Sequence, residues 1–391
     1  MKQPHIAVVG AGALGSWTAY YLKQRGAKVT LLDAWGPGNS RSSSGGETRV
    51  IRSVYGPDEI YVKMVAKAFP LWKEFEQKWE VRCYTRTGCL WMINKADDSY
   101  LKTSLPHLKK FGFPIEKLNW EELSKRFPQI NSQGVLSAYL EKEAGFLRAN
   151  KACRLVCEAF VKSGGDYRLL AAHPGRVEQE EMAALQLSDG TKLQADHYVF
   201  ACGPWLKKIF PELLDHHLTI SRQEVYYFGI SAGNASLSYP ALPCWVEFGE
   251  HIYYGIPGAG NRGFKIADDT RKATFDPDKD DRLPTFKDVE TARSYLAFRF
   301  PKLAKAPLLE ARVCQYTNCA DGNYLIDRHP QAENVWIAGA GGGHAFKMGP
   351  ALGTYLADLI LENKKIDPFF SFRRMEGIQE MQSQLFKQKK A

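Results

Sequence analysis

The chain contains no run of about 18 consecutive apolar residues, the length a membrane-crossing helix needs, so no such helix is expected. Cysteine is scarce, with eight in 391 residues. That is too few for a disulfide scaffold, and it fits reduced thiols and a cytoplasmic location. The start lacks a signal-peptide core, because the apolar run from Ile6 to Val9 is short and leads into glycines. The end, Lys387 to Ala391, matches neither the Ser-Lys-Leu nor the Lys-Asp-Glu-Leu address. No internal repeat and no low-complexity tract is present, which excludes solenoid and fibrous architectures. What is present is 45% hydrophobic and 12% aromatic residues, enough to bury a sizeable core and too many for a disordered chain. Lys and Arg number 52 against 43 Asp and Glu, a net charge of +9. That excess raises nucleic acid and anionic membranes as partner classes to be tested.

The first 33 residues read as strand, turn, helix, strand. His5 to Val9 is a short apolar run. Gly10, Gly12 and Gly15 follow in G-x-G-x-x-G spacing, then a helix over Leu14 to Lys23, a stop at Gly26 and a second strand over Lys28 to Leu32. Each glycine has a physical reason. Gly10 permits the tight turn, Gly12 lets backbone approach a pyrophosphate, and Gly15 allows close helix–strand contact. The helix N-terminus adds N–H donors and a positive dipole end. Asp33, 18 residues past Gly15, can accept from ribose hydroxyls and would repel a 2′-phosphate. Together these predict dinucleotide binding; FAD and NAD both remain open at this point.

Downstream, Arg41, Arg49 and Arg52 punctuate a polar, Gly-containing loop that includes Ser42 and Ser43. It follows the second strand, near the carboxyl ends where α/β sheets bind ligands. Arg forks suit carboxylates and phosphates. Further on, 81–95 reads as a strand pair and 100–130 as helical and basic, with Leu105, Leu108 and Phe111 at helical spacing. A helix covers Leu155 to Val161, a hairpin Leu185 to Leu193, and a buried strand His197 to Ala201. Segment 222–256, rich in aromatic and β-branched residues, predicts an antiparallel sheet, and 267–290 a charged loop. A last buried strand, Asn334 to Ala338, opens into Gly339-Ala-Gly-Gly-Gly-His344, followed by Lys347 and a helix over 350–363. This repeats the logic of the N-terminus, so the C-terminal part is expected to fold back onto the first sheet.

In order and combination, the motifs resemble those of the sarcosine oxidase-like flavoproteins of the D-amino-acid oxidase superfamily. They are the Gly10/Gly12/Gly15 turn, Gly46-Glu-Thr-Arg-Val-Ile-Arg52, Ala201-Cys-Gly-Pro-Trp205 and Gly263-Phe-Lys265, then Cys314-Gln-Tyr-Thr317, Leu325-Ile-Asp-Arg-His-Pro330 and His344-Ala-Phe-Lys347. The resemblance spans nearly the whole chain. It implies an α/β fold with a Rossmann-like FAD-binding domain of the glutathione-reductase type, interleaved with an α+β substrate domain on an antiparallel sheet. The FAD-binding parts fall at 1–85, 146–215 and 315–391, and the substrate parts at 86–145 and 216–314. The implied activity is oxidation of a secondary or N-substituted amino acid, with hydride passing to flavin N5, imine hydrolysis, and reoxidation by oxygen to give hydrogen peroxide. The implied protein is a monomer.

The resemblance also implies residue roles. Gly10, Gly12, Gly15, Asp33, Arg41, Ser42, Ser43, Gly203, Trp205, Gly341, Gly342, Gly343, His344 and Lys347 would hold the cofactor. Cys314 stands where the family forms a thioether to the flavin, with Cys319 as the competing thiol; their spacing pairs with no Cys/His set that would bind zinc. Arg52 and Lys347 match the pair that grips the substrate carboxylate, and Tyr254 and Tyr316 the aromatic pocket wall. Lys265 matches a lysine that assists oxygen reduction, where a fixed cation stabilises developing negative charge, and Arg49 an arginine beside the flavin ring.

Two positions depart from the sarcosine-type pattern. Ser44 and Gly45 stand where histidine precedes the Gly-Glu-Thr-Arg motif, and Asp269 replaces a histidine four residues after Lys265. An acid there favours a substrate with a second cationic group or is a solvated loop residue. Two alternative functions stand beside the oxidase: a dehydrogenase of the same fold with another electron acceptor, and a nucleic-acid-associated protein. The second lacks any RNP, KH or zinc-knuckle signature. Residues 1–52 carry seven cations against two acids, +5 of the total, which places much of the excess around the arginine loop. The charge therefore reads as a site for an anionic cofactor and a small anionic substrate.

Overall fold

A computed structural model describes residues 3–260, 262–270 and 274–376. The tail 387–391 and positions 271–273 of the expected charged loop lie outside the described residues. The first sheet has six strands in the order Leu325–His329, Ala332–Gly339, His197–Phe200, His5–Val9, Lys28–Leu32, Asp166–Arg168. Its first pair is antiparallel and the others are parallel. The four inner strands carry near-continuous apolar runs, because both faces are covered. Three helices, Ala13–Gln24, Ala149–Lys162 and Gly349–Leu361, bring their apolar faces into the main core. Trp17 of the first of these packs edge-on to Trp72 at 5.1 Å and to Phe75 at 4.9 Å, both on a further helix, Glu59–Trp79. A second core, with Phe200, Leu206 and Leu325, lies on the opposite face.

The second sheet has eight strands: Leu308–Cys319, Leu218–Phe228, Phe264–Asp268, Ile252–Ile256, Cys244–Phe248, Cys89–Ile93, Ser137–Glu141 and Ile115–Leu118. All neighbours are antiparallel except Cys244–Phe248 beside Cys89–Ile93. Helix Phe286–Arg299 packs on it through Ala292 and Leu296. A small three-stranded sheet of Thr48–Ile51, Gly145–Arg148 and Tyr84–Arg86 carries the arginine segment. The main core draws on both large sheets, with Ile6 and Val8 of one and Trp91, Val246 and Ile252 of the other.

Three expectations are corrected. Segment 81–95 does hold two strands, but they do not pair: Tyr84–Arg86 joins Gly145–Arg148, and Cys89–Ile93 inserts between Cys244–Phe248 and Ser137–Glu141. All five residues of Cys89–Ile93 are buried, as a central strand requires. Segment 100–130 is two helices, Ser99–Lys110 and Trp120–Arg126, separated by the edge strand Ile115–Leu118. The charged loop ends earlier than expected, at a capping box in which Thr285 and Asp288 start helix Phe286–Arg299.

Candidate active site

Two cavities meet inside the molecule. The larger, about 470 Å³, begins at Gly10, Gly12 and Asp33, passes Ser42, Ser43, Gly203 and Trp205, and reaches Gly341, Gly342 and Gly343. The smaller, about 70 Å³, is lined by Arg52, Trp91, Tyr254, Asp269, His344 and Lys347 among others. Arg49, Tyr316, Gly342, Gly343 and Phe346 line both and form their junction.

The larger cavity is shaped to take an extended anion. Gly10 turns at φ +102°, and a Cβ on Gly15 would come within 1.7 Å of the Gly10 carbonyl oxygen. Helix Ala13–Gln24 therefore starts directly against the strand end. A Cβ on Gly12 would meet nothing nearer than the Ser44 hydroxyl at 3.5 Å, so Gly12 faces the cavity. The helix begins at Gly12 with no side-chain cap, leaving its first N–H groups for a ligand. Asp33 accepts from the backbone N–H of Ala11 at 2.7 Å, Trp35 at 2.8 Å and Gly36 at 2.7 Å. Burial raises its pKa against those bonds. Arg41 does not line the cavity. Its guanidinium lies 4.7 Å over Trp35 and pairs with Asp278, which also accepts from Trp205 Nε1 at 2.9 Å.

Side chains from distant segments build the smaller cavity. Arg52 is buried, donates to the Val54 carbonyl, and stacks between Tyr55 at 4.5 Å and Trp91 at 5.2 Å. Lys347, in the turn before helix Gly349–Leu361, is also buried and donates to Tyr55 Oη at 2.9 Å and the His344 carbonyl at 2.8 Å. Tyr55 thus holds both cations at one pole. Burial and the Arg52 charge press the Lys347 amine well below its ordinary pKa. At the other pole, Tyr316 Oη donates to Asp269 Oδ1 at 2.8 Å, beside Tyr254. His344 lines this cavity rather than the larger one, with Nδ1 2.7 Å from Tyr324 Oη. Lys347 likewise faces only the smaller cavity.

Sequence reasoning missed Glu141. It is buried, accepts from Ser53 and from Trp91 Nε1 at 3.2 Å, and has its pKa raised by burial. Trp91 and Tyr55 were equally unassigned. The apolar run Cys89–Ile93 flags Trp91 as core, but no local pattern marks its stacking on an arginine 39 positions away.

Arg49 donates to the Ser43 carbonyl at 2.6 Å and lies 3.4 Å from Cys314 Sγ. The two candidate thiols differ sharply. Cys314 is half-buried beside this cation and lines neither cavity. Cys319 is fully buried, and burial pushes its pKa up to about 12. Lys265 is buried and donates to the Thr48 carbonyl at 2.8 Å. It lines neither cavity described above, but a third of about 180 Å³ shared with Arg148 and Arg262. Burial, reinforced by Arg49, holds its pKa well below the ordinary value.

A mostly parallel sheet with an uncapped helix start after its glycine turn, joined to a cation-lined cavity, fits a dinucleotide-binding enzyme. The chain belongs to the family of FAD-dependent oxidoreductases whose model matches residues 5–359. It is 30% identical over 370 residues to the monomeric sarcosine oxidase of Arthrobacter sp. (strain TE1826), covering 93% of this chain and 94% of that protein. It is 27% identical over 366 residues to the N-methyl-L-tryptophan oxidase of Salmonella arizonae, covering 91% and 94%. Among solved structures, the L-proline dehydrogenase of P. horikoshii shares the fold, with a TM-score of 0.81 at 21% identity over 94% of this chain and 96% of that one. The cofactor is FAD, and the uncapped helix, the Gly12 opening and the cavity fit it.

Proposed function

We propose that the chain oxidises a small N-substituted amino acid, with oxygen as final acceptor and hydrogen peroxide as product. The carrying observation is the smaller cavity: two buried cations, Arg52 and Lys347, face a space that opens onto the nucleotide cavity at Arg49 and Tyr316. A planar Arg fork plus a Lys point charge is the donor set for an amino-acid carboxylate. Relatives named for sarcosine and N-methyl-L-tryptophan support an N-substituted substrate. The monomeric sarcosine oxidase relative supports a monomer.

Bound FAD supplies the two-electron acceptor. Gly10, Gly12, Gly15 and the uncapped helix start would hold the pyrophosphate, and Asp33 would take the ribose hydroxyls. Ser42, Ser43, Gly203, Trp205 and Gly341 to Gly343 shape the remaining walls, and Arg41 braces the outer end through Trp35. Arg52 and Lys347 fix the carboxylate, while Tyr254 and Tyr316 wall the pocket and exclude water. His344 steadies the glycine turn through Tyr324. Cys314, beside Arg49, would be the thiol for a thioether link to FAD. We assign 1–85, 146–215 and 315–391 to FAD binding and 86–145 and 216–314 to the substrate domain; strands Tyr84–Arg86, Gly145–Arg148 and Leu308–Cys319 each cross one of these boundaries.

A second reading, a dehydrogenase with another electron acceptor, is favoured by the position of Lys265 on Thr48 and its depressed pKa. Oxygen consumption by wild type and by Lys265→Met separates the two. The oxidase reading expects a large drop in the variant, and an unchanged rate removes Lys265 from the oxygen step. Purified protein is expected to be yellow. After acid precipitation, colour in the pellet supports the Cys314 link, and colour in the supernatant removes it. Peroxide release from a panel of N-methyl, cyclic and glycated amino acids tests the activity itself.

A further inference from the structure

Residues 274–283 run from the second sheet to the nucleotide cavity and back. Both ends of the segment are pinned to the second sheet. Thr274 forms an isolated β-bridge with Ser221. Phe275 is buried against Ile220 and Val313, and its N–H donates to the Ile220 carbonyl at 2.8 Å. At the other end, Arg222 donates to the Asp281 carbonyl at 3.0 Å and the Leu283 carbonyl at 2.7 Å. Arg282 lies 5.0 Å over the Phe275 ring and donates to Gln315 Oε1 at 2.6 Å. Between these ends the tip is a preformed turn. Asp276 Oδ1 accepts from the N–H groups of Asp278 at 2.9 Å and Lys279 at 3.2 Å, and the Asp276 N–H donates to Asp280 Oδ2 at 2.7 Å.

The tip meets a different part of the molecule. Asp278 accepts from Trp205 Nε1 at 2.9 Å, Lys208 Nζ at 2.7 Å and Arg41 Nη2 at 3.3 Å, and Lys208 also pairs with Asp276 at 2.5 Å. Trp205 and Lys208 follow strand His197–Phe200 of the first sheet, and Arg41 follows Lys28–Leu32. Trp205, Lys208 and Asp278 all line the nucleotide cavity, so the tip completes its wall from the far side. The two kinds of contact differ in strength. The ends use buried apolar surface and backbone carbonyls. The four charged side chains of the tip contact are 31–39% exposed, and exposed ion pairs are individually weak and screened by salt. A turn that is fixed internally, held firmly at both ends and weakly at its tip is built to swing as a flap. We propose that residues 274–283 are a strap over the nucleotide cavity, latched by Asp276 and Asp278 onto Lys208, Arg41 and Trp205, which opens to admit FAD and closes to retain it. The strap belongs to the cofactor cavity and does not depend on which substrate is oxidised.

The test reads FAD retention rather than turnover. It uses holoenzyme in which every form carries Cys314→Ser, so that no thioether holds the cofactor. Release after dilution is followed by the rise in free-flavin fluorescence. Asp278→Asn should release FAD about 5-fold faster or more, and so should Lys208→Met. The double variant should lie close to the faster single one, since both break one latch. High salt should speed release from the reference protein and add little in Asp278→Asn. Arg126→Met, which breaks an exposed ion pair with Glu116 elsewhere, should leave release unchanged. Trypsin gives a second reading at the tip. Cleavage after the exposed Lys279 should be slow with FAD bound, faster in FAD-free protein, and faster in loaded Asp278→Asn than in the loaded reference. If Asp278→Asn does not fold, Lys208→Met carries both readings. Unchanged release in Lys208→Met, equal acceleration by Arg126→Met, or Lys279 cleavage indifferent to FAD overturns the strap.

Discussion

The two cavities that meet at Arg49 and Tyr316 are built differently. The larger is largely a backbone structure: glycine turns, an uncapped helix start and strand ends form much of its wall. The smaller is a side-chain structure, with Arg52, Trp91, Asp269, Tyr316 and Lys347 arriving from five separate segments. Backbone donors bind a cofactor shared by many enzymes, and converging side chains choose one substrate. The contrast teaches that cofactor and substrate binding should fail separately.

The largest expected effect comes from filling the backbone cavity. Gly12→Val places a side chain where only the Ser44 hydroxyl is near, so the protein should fold yet lose FAD. Visible absorbance should vanish while circular dichroism is kept; a yellow variant breaks the contrast. Next is the carboxylate pole. Arg52→Met should lower kcat/KM by about 100-fold or more, as loss of a buried charge partner does. FAD content, read from absorbance ratios, should not change.

The third effect concerns stability. Lys347 has a folded pKa below its unfolded value near 10.5. Between the two the unfolded chain binds more protons, so this lysine lowers stability fully below the depressed pKa and progressively less as pH rises towards 10.5. Ligand-free Lys347→Met should therefore be more stable than wild type at neutral pH, by about 1 kcal/mol or more. Denaturant titrations across pH should show the gap closing as pH rises. A gap that widens contradicts the buried-charge account. The last variant is Asp33→Asn. Its amide leaves a donor facing backbone N–H groups, costing about 1–3 kcal/mol. It should weaken FAD retention and leave substrate affinity of the loaded enzyme unaltered.

The same contrast governs what was legible beforehand. His5–Val9 and Lys28–Leu32 were readable to the residue, because an apolar run, a glycine turn and an acid follow one another locally. Arg52, Lys347 and Tyr316 were legible through motif resemblance. Glu141 and Tyr55 were not, because their importance lies in contacts with Ser53 and Trp91, and with Lys347, which no local period encodes. Cys89–Ile93 was recognisable as a strand, but its partner Cys244–Phe248 lies more than 150 residues away. The helix start at Thr285 was readable in principle, since Thr285 and Asp288 show the capping spacing, but surrounding charges masked it. Asp269 read either as an acid for a second cationic substrate group or as a solvated loop residue, and the register of Phe264–Asp268 against Ile252–Ile256 brings it to the cavity.

The central claim is that a carboxylate bound between Arg52 and Lys347 presents its neighbouring carbon to FAD at the Arg49–Tyr316 junction. Anaerobic mixing of holoenzyme with the panel of N-methyl, cyclic and glycated amino acids tests this most directly. At least one should bleach the visible flavin absorbance in wild type, and bleaching at the same substrate concentration should be lost in Arg52→Met. Full bleaching in Arg52→Met, or none by any panel member in wild type, would contradict it.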